Sequence, residues 1–368
     1  MKSRKLASVL ICVFVLAAAA IFAGCGDDND SGGDSSSGGG KIALLLPESK
    51  TARYETQDRP LFTDKVKEIC DGCEIIYSNA DQDAAKQQQQ AEAALTQGAQ
   101  VLVLDPVDAA SAEAIVTKAK QQDVPVISYD RLIDSADISY YISFDNEKVG
   151  QLQATSLIDK MESDGNGDGT IVMINGAPTD NNAKLFKKGA TETFEKSDLK
   201  IGRSFDTPDW SPDKAQDEME QAITALGDDG FQGVYAANDG TAGGAISAMK
   251  SADVNPSERP TTGQDAEVAA IQRILAGTQY MTIYKAVKPE AEQAAQLAVA
   301  LAKGEDPPED LITGDVDAGG AKIPSIILDP VVVTKENVND TIIADGFWSA
   351  DEICTSAYKK DCEAAGIE

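Results

Sequence analysis

VLVLDPVDAASAEAIVTKAKQQDVPVISYDR, residues 101–131, decides the fold. Val101 to Leu104 is a short apolar run of strand length, and Val124 to Ser128 is another. Between them Ser111 to Gln121 is rich in Ala, Lys and Glu, which favour helix. The same alternation extends in both directions. Ile42 to Leu46 and Glu74 to Tyr77 come before it, with a helical stretch from Asp83 to Thr96, and Tyr140 to Ser143 follows. A second series reads Thr170 to Ile174, Ile201 to Phe205, Gly233 to Ala236, Thr261 to Gly263 and Gln279 to Ile283, again separated by helical stretches. Strands apolar on both faces, alternating with helices, predict parallel sheets covered on each side. Two such series predict an α/β chain of two similar lobes.

In open parallel sheets a ligand sits beyond the carboxyl ends of the strands. Those ends carry Arg53-Tyr54, Tyr129-Asp130-Arg131, Asp180-Asn181-Asn182-Ala183-Lys184, Asp209-Trp210, Asn238-Asp239, Gln264-Asp265 and Tyr284-Lys285. This mixture suits a sugar. Carboxylates and amides hold adjacent hydroxyls, and Arg and Lys donate to ring and hydroxyl oxygens. Tyr54 and Trp210 would cover its C–H faces. A bland role competes at each position. A strand-end Asp or Asn often caps the next helix, a choice left open at Asp239, and Trp210 before Ser211-Pro212 could be a surface staple.

Composition narrows the function. The chain of 368 residues has a formal net charge of −29. Loss of Lys2, Arg4 and Lys5 with a leader would make it −29 − 3 = −32. Such acidity argues against nucleic acid. There is no histidine, so Ser-His-Asp hydrolysis and His-ligated metal are excluded. Basic residues followed by an apolar run from Leu6 to Ala23 read as a secretory signal over 1–24. Phe22-Ala23-Gly24-Cys25 resembles a lipobox and makes Cys25 the expected lipidation site. Residues 26–40 are only Gly, Ser, Asp and Asn, a polar leash that completes the segment 25–40. Besides Cys12 and Cys25, the cysteines fall in two close pairs, Cys70 with Cys73 and Cys354 with Cys362. In an oxidising compartment these are expected as disulfides rather than a four-thiolate zinc site.

Tyr141 to Gly150 (YISFDNEKVG), Asp180 to Phe186 (DNNAKLF), Asn238 to Gly244 (NDGTAGG), Gly263 to Ala266 (GQDA) and Tyr129-Asp130-Arg131 resemble the xylose-binding branch of the type I periplasmic binding proteins, which serve bacterial ABC importers. The likeness runs from about Lys41 to Phe347. It implies two Rossmann-like lobes joined by three crossings, placed near Phe144–Glu147, Tyr284–Lys288 and Ile312–Val316. The lobes would be 41–145 plus 286–313 and 146–285 plus 314–350, with a tail over 351–368. It also implies a monosaccharide held by Arg53, Tyr54, Asp130, Arg131, Asn182, Trp210, Asn238, Asp265 and Lys285. Tyr54 stands where those binders have a Trp, and one extra residue lies between Arg53 and Asp58-Arg59. Sugar identity would therefore be decided in this loop. D-xylose is the first expectation, with ribose, arabinose, glucose or galactose as alternatives.

The expected partners are the sugar, an ABC permease and the membrane through Cys25, with the chain a monomer on the extracytoplasmic face. A sensory receptor of the same fold would share every one of these residues. No cofactor, metal or catalysis is expected. Asp164 to Gly169 has calcium-loop spacing, but Val172 and Asn175 fill later ligand positions, so it reads as a solvated turn. Asp130 and Asp265 could in principle pair as glycosidase carboxylates, but no nucleophile–base pair accompanies them.

Overall fold

The computed structural model describes residues 39–367; the expected signal, Cys25 and most of the leash lie outside them. The first series folds as β1 (Lys41–Leu46), α1 (Arg59–Ile69), β2 (Glu74–Asn79), α2 (Ala84–Thr96), β3 (Val101–Leu104), α3 (Glu113–Lys120), β4 (Val126–Tyr129) and β5 (Tyr140–Phe144). The second runs through α4 (Asn146–Ser163), β6 (Thr170–Asn175), α5 (Asn181–Phe194), β7 (Lys200–Asp206), α6 (Pro212–Leu226), β8 (Gly233–Ala236), α7 (Asp239–Ser251), α8 (Val268–Leu275) and β9 (Met281–Tyr284). Then come α9 (Val287–Ala302), β10 (Gly314–Ala318), β11 (Ala321–Leu328), β12 (Val331–Thr334), α10 (Ala350–Ile353) and α11 (Lys359–Ala364).

Strand alternation sends neighbouring side chains to opposite faces, and β1 uses both. Ile42, Leu44 and Leu46 pack with Phe62 and Val66 of α1 and Ala291 and Ala298 of α9. Ala43 and Leu45 pack with Ala94 and Leu95 of α2 and Ile115 and Val116 of α3. The sheet order is β10-β11-β5-β4-β3-β1-β2, parallel except for the β10–β11 hairpin. In the second sheet, β7-β6-β8, strands β6 and β8 are buried on both faces, by α4 and α5 on one side and α6 and α7 on the other, while the edge strand β7 is largely exposed. Parallel bridges Val234–Thr261 and Gln264–Ile283 extend it towards β9, which pairs antiparallel with β12.

The chain leaves the first sheet after Phe144 and returns to its face after Tyr284. The third crossing corrects the sequence reading. Residues 314–328, expected in the second lobe, form β10 and β11, and Ser325 to Leu328 pair with Tyr141 to Phe144 of β5. The passage to the second sheet therefore falls between Leu328 and Val331, not near Ile312–Val316. A tight turn at Gly319-Gly320, with φ of +54° and +83°, folds the hairpin back.

Beyond β12, residues 347–367 pack onto a core shared by α8, β9 and the start of α9. Cys354 and Cys362 close this segment with sulfurs 2.06 Å apart, and Cys70 and Cys73 lie 2.02 Å apart after α1.

Candidate functional site

The carboxyl ends of both sets of strands meet around one narrow cavity. It is lined by Thr51, Tyr54, Asp130 and Arg131 from the first lobe and by Asp180, Asn182, Phe186, Trp210, Asn238, Gln264, Asp265 and Lys285 from the second. Local geometry explains how each side chain is delivered. Asp130 (φ +52°) follows β4, Trp210 (φ +52°) follows β7, and Asp265 (φ +93°) precedes β9. Left-handed backbone at non-glycine residues is costly and concentrates where a side chain must be aimed. Asp180 caps α5 by accepting from the Asn182 amide, and Asn238 caps α7 by accepting from the Thr241 amide. Capping and lining the cavity are thus compatible at both positions.

Asp130 is the centre of the charge network. Its carboxylate accepts from Lys285 Nζ at 2.8 Å and from the Tyr54 hydroxyl at 2.9 Å. Its backbone carbonyl accepts from Asn182 Nδ2 at 3.0 Å, a contact between the two lobes. Burial pulls its pKa upward, but Lys285 and Arg53 outweigh that and hold it well below the ordinary carboxylate range. Arg131 reaches across to Asp180 at 3.0 Å and lies within 3.7 Å of Glu48 and 3.6 Å of Asp105. Asp180 also accepts from Trp210 Nε1 at 3.1 Å. Burial raises Asp180, Asp105 and Asp265 above the usual carboxylate range.

Arg53 sits in the wall behind the cavity. Its guanidinium pairs with Asp58 and Glu290, both at 2.6 Å, and its Nη1 has no hydrogen-bond partner among the described residues. Gln264 Oε1, on the cavity surface, is likewise unpartnered among them. Trp210 is buried over Gly176, meeting Phe186 edge-on at 6.4 Å, and is not a surface staple. Asp239, left open between capping and ligand contact, does neither. It is the first residue of α7, fully buried, and accepts from Gln279 Nε2 at 2.8 Å, Thr282 Oγ1 at 2.9 Å and the Glu267 amide at 3.0 Å.

Thr51, Asp180, Phe186 and Gln264 line the cavity and were absent from the expected contact set. Asp180 and Gln264 stood in the quoted strand-end motifs, so that signal could have found them. Asp105, the residue after β3, and Glu48, two residues past β1, carried the same strand-end signal, whereas Glu290, within α9, did not.

What the arrangement can do follows from its charges. Asp130, Asp180 and Asp265 face Arg131 and Lys285, so an anionic guest would be opposed and a neutral polyhydroxyl guest would find both donors and acceptors.

Residues 42–306 match the model of the periplasmic binding protein domain. The chain is 36% identical over 317 residues to the D-xylose-binding periplasmic protein of Escherichia coli K12, covering 85% of this chain and 92% of that one. It is 31% identical over 328 residues to the multiple sugar-binding periplasmic receptor ChvE of Rhizobium radiobacter, with the same coverages. Among solved structures, an ABC transporter solute-binding protein from Clostridium phytofermentans with bound β-D-glucose superposes with a TM-score of 0.77. That protein is 28% identical, and the match covers 85% of this chain and 99% of that one. The chain belongs to the periplasmic binding protein family.

Proposed function

We propose that the protein captures a neutral monosaccharide, D-xylose first among candidates, between its lobes and presents the closed complex to an ABC permease. The observation that carries this reading is the cavity itself. It joins paired carboxylate, amide and cationic groups with three aromatic side chains, Tyr54, Phe186 and Trp210, and takes residues from both lobes. Hydroxyls pair with the first kind of group and C–H faces with the second. Relatives that carry the names of xylose-binding and multiple sugar-binding periplasmic proteins support it. The role is binding rather than catalysis.

Closure follows from the division of contacts. An open form engages sugar with one lobe, and the bound sugar then adds contacts from the other. The partner reads the closed shape. Extracytoplasmic placement, an acyl anchor on Cys25 and disulfides at Cys70–Cys73 and Cys354–Cys362 complete the proposal. The Cys25 anchor rests on the lipobox-like end of the leader.

The chain has two tryptophans, and Trp210 lies on the cavity. Titration with D-xylose should shift the tryptophan emission saturably, and Trp210→Phe should abolish the shift. Emission indifferent to every monosaccharide would contradict the proposal.

A further inference from the structure

The C-terminal segment packs against the backs of the loops that hold the cavity's side chains. Trp348, which is buried, donates from Nε1 to the Ala266 carbonyl at 2.8 Å. Ala266 (φ +50°) and Asp265 (φ +93°) are consecutive non-glycine residues in the left-handed region. A pair of that kind persists only where its surroundings over-determine it. On the other side of the pair, the Asp265 amide donates to the Ile283 carbonyl at 2.9 Å. The indole thus clamps the strained turn from the face opposite the ligand.

The neighbouring residue makes a parallel contact. The Phe347 ring lies 5.0 Å from that of Tyr284, next to Lys285, and 5.1 Å from that of Trp348. The Phe347 carbonyl accepts from Gln57 Nε2 at 3.3 Å, in the helical turn that begins at Tyr54. Further along, the Ile353 carbonyl accepts from Gln272 Nε2 of α8 at 3.0 Å. Cys362 and Ile367 are buried in the same core as Ile271 and Leu275. One strap, closed by Cys354 and Cys362, therefore touches the segments that deliver Asp265, Lys285 and Tyr54.

We infer that this strap is a positioning element of the binding site, and that Trp348 is a positioning residue acting through Ala266 on Asp265. The inference rests on the sugar-binding reading for its effect on affinity, but not for its effect on the turn. Two measurements on the protein keep them apart. Without sugar, Trp348→Phe should speed hydrogen exchange at the Asp265 and Ala266 amides about tenfold and leave Leu44 and Val103 unchanged. Unchanged exchange at Asp265 and Ala266 overturns the inference.

With D-xylose, Trp348→Phe should weaken binding about fivefold to tenfold, the scale of one buried hydrogen bond, and much less in an Asp265→Asn background. An equal loss in both backgrounds overturns the action through Asp265. If the parent protein binds no monosaccharide, the functional proposal fails and the exchange result still decides the strap. Should Trp348→Phe not fold, Cys354→Ser with Cys362→Ser opens the strap without touching a cavity residue. The same rise in exchange is expected there, and its absence overturns the inference.

Discussion

Gly176 lies directly beneath Trp210. A Cβ there would come within 2.0 Å of the indole Cη2, so any side chain must displace the ring. Gly176→Ala is expected to weaken sugar binding at least about tenfold, or about 1.4 kcal/mol, while the protein still unfolds cooperatively. Calorimetric titration beside thermal melting checks this, and unchanged affinity would count against Trp210 as a wall of the site. Asp239 gives a second prediction at this scale. Burial pushes its carboxyl up to about 7, with Arg273 opposing and Asp265 adding to the rise. The folded state therefore holds this proton more tightly than the unfolded chain, whose carboxyl titrates near about 4. The resulting stability is fully present below that value and is lost as pH rises through about 7. Asp239→Asn removes this dependence, so its Tm should gain on the parent's between pH ~5 and ~8. A difference constant with pH would contradict the assignment. Much at this scale was legible. Asp130, Arg131, Asn182 and Asp265 follow strands, where a parallel sheet opens to a ligand. Glu290 was not, because its importance comes from which cation it meets. Glu290, on α9, reaches Arg53 across 237 positions of sequence.

At the scale of elements, α4 and α5 approach closely through two glycines. A Cβ on Gly150 would lie 2.0 Å from the Phe186 carbonyl oxygen, and one on Gly189 would lie 2.1 Å from that of Glu147. Each faces backbone, which cannot turn aside as a side chain can. Gly150→Ala should separate the helices and cost about 1–3 kcal/mol, the usual range for overpacking, read as a lower urea midpoint. The first turn of α5 carries Asn182, so sugar affinity should fall with it. A midpoint at the parent's value would show that the helices can shift freely. Strand and helix types were readable from apolar runs and composition. The membership of β10 and β11 was not. Gly314 to Ala321 reads GDVDAGGA, polar and glycine-rich, and resembles a linker more than an edge hairpin. What places it is β11 pairing with β5, about 180 residues earlier, and no local pattern encodes such a pairing.

For the whole molecule, the two lobes are joined through the site as well as through the crossings. Asn182 with Asp130, Lys285 with Asp130 and Arg131 with Asp180 each bridge them directly. The Thr179 carbonyl adds a contact at the rim by accepting from the Ala109 amide at 3.1 Å. A bridging sugar is expected to take over part of this network, which is how a small neutral ligand can bias a hinge. Discrimination then depends on whether each hydroxyl finds its partner, since a site matched to particular hydroxyls penalises analogues that leave its groups unpaired. Calorimetric titration with D-xylose, then ribose, arabinose, glucose and galactose, tests this most directly. Saturable single-site binding is expected, tightest for xylose, lost in Asp265→Ala and strongly weakened in Arg131→Ala. Absence of heat with every monosaccharide would contradict it.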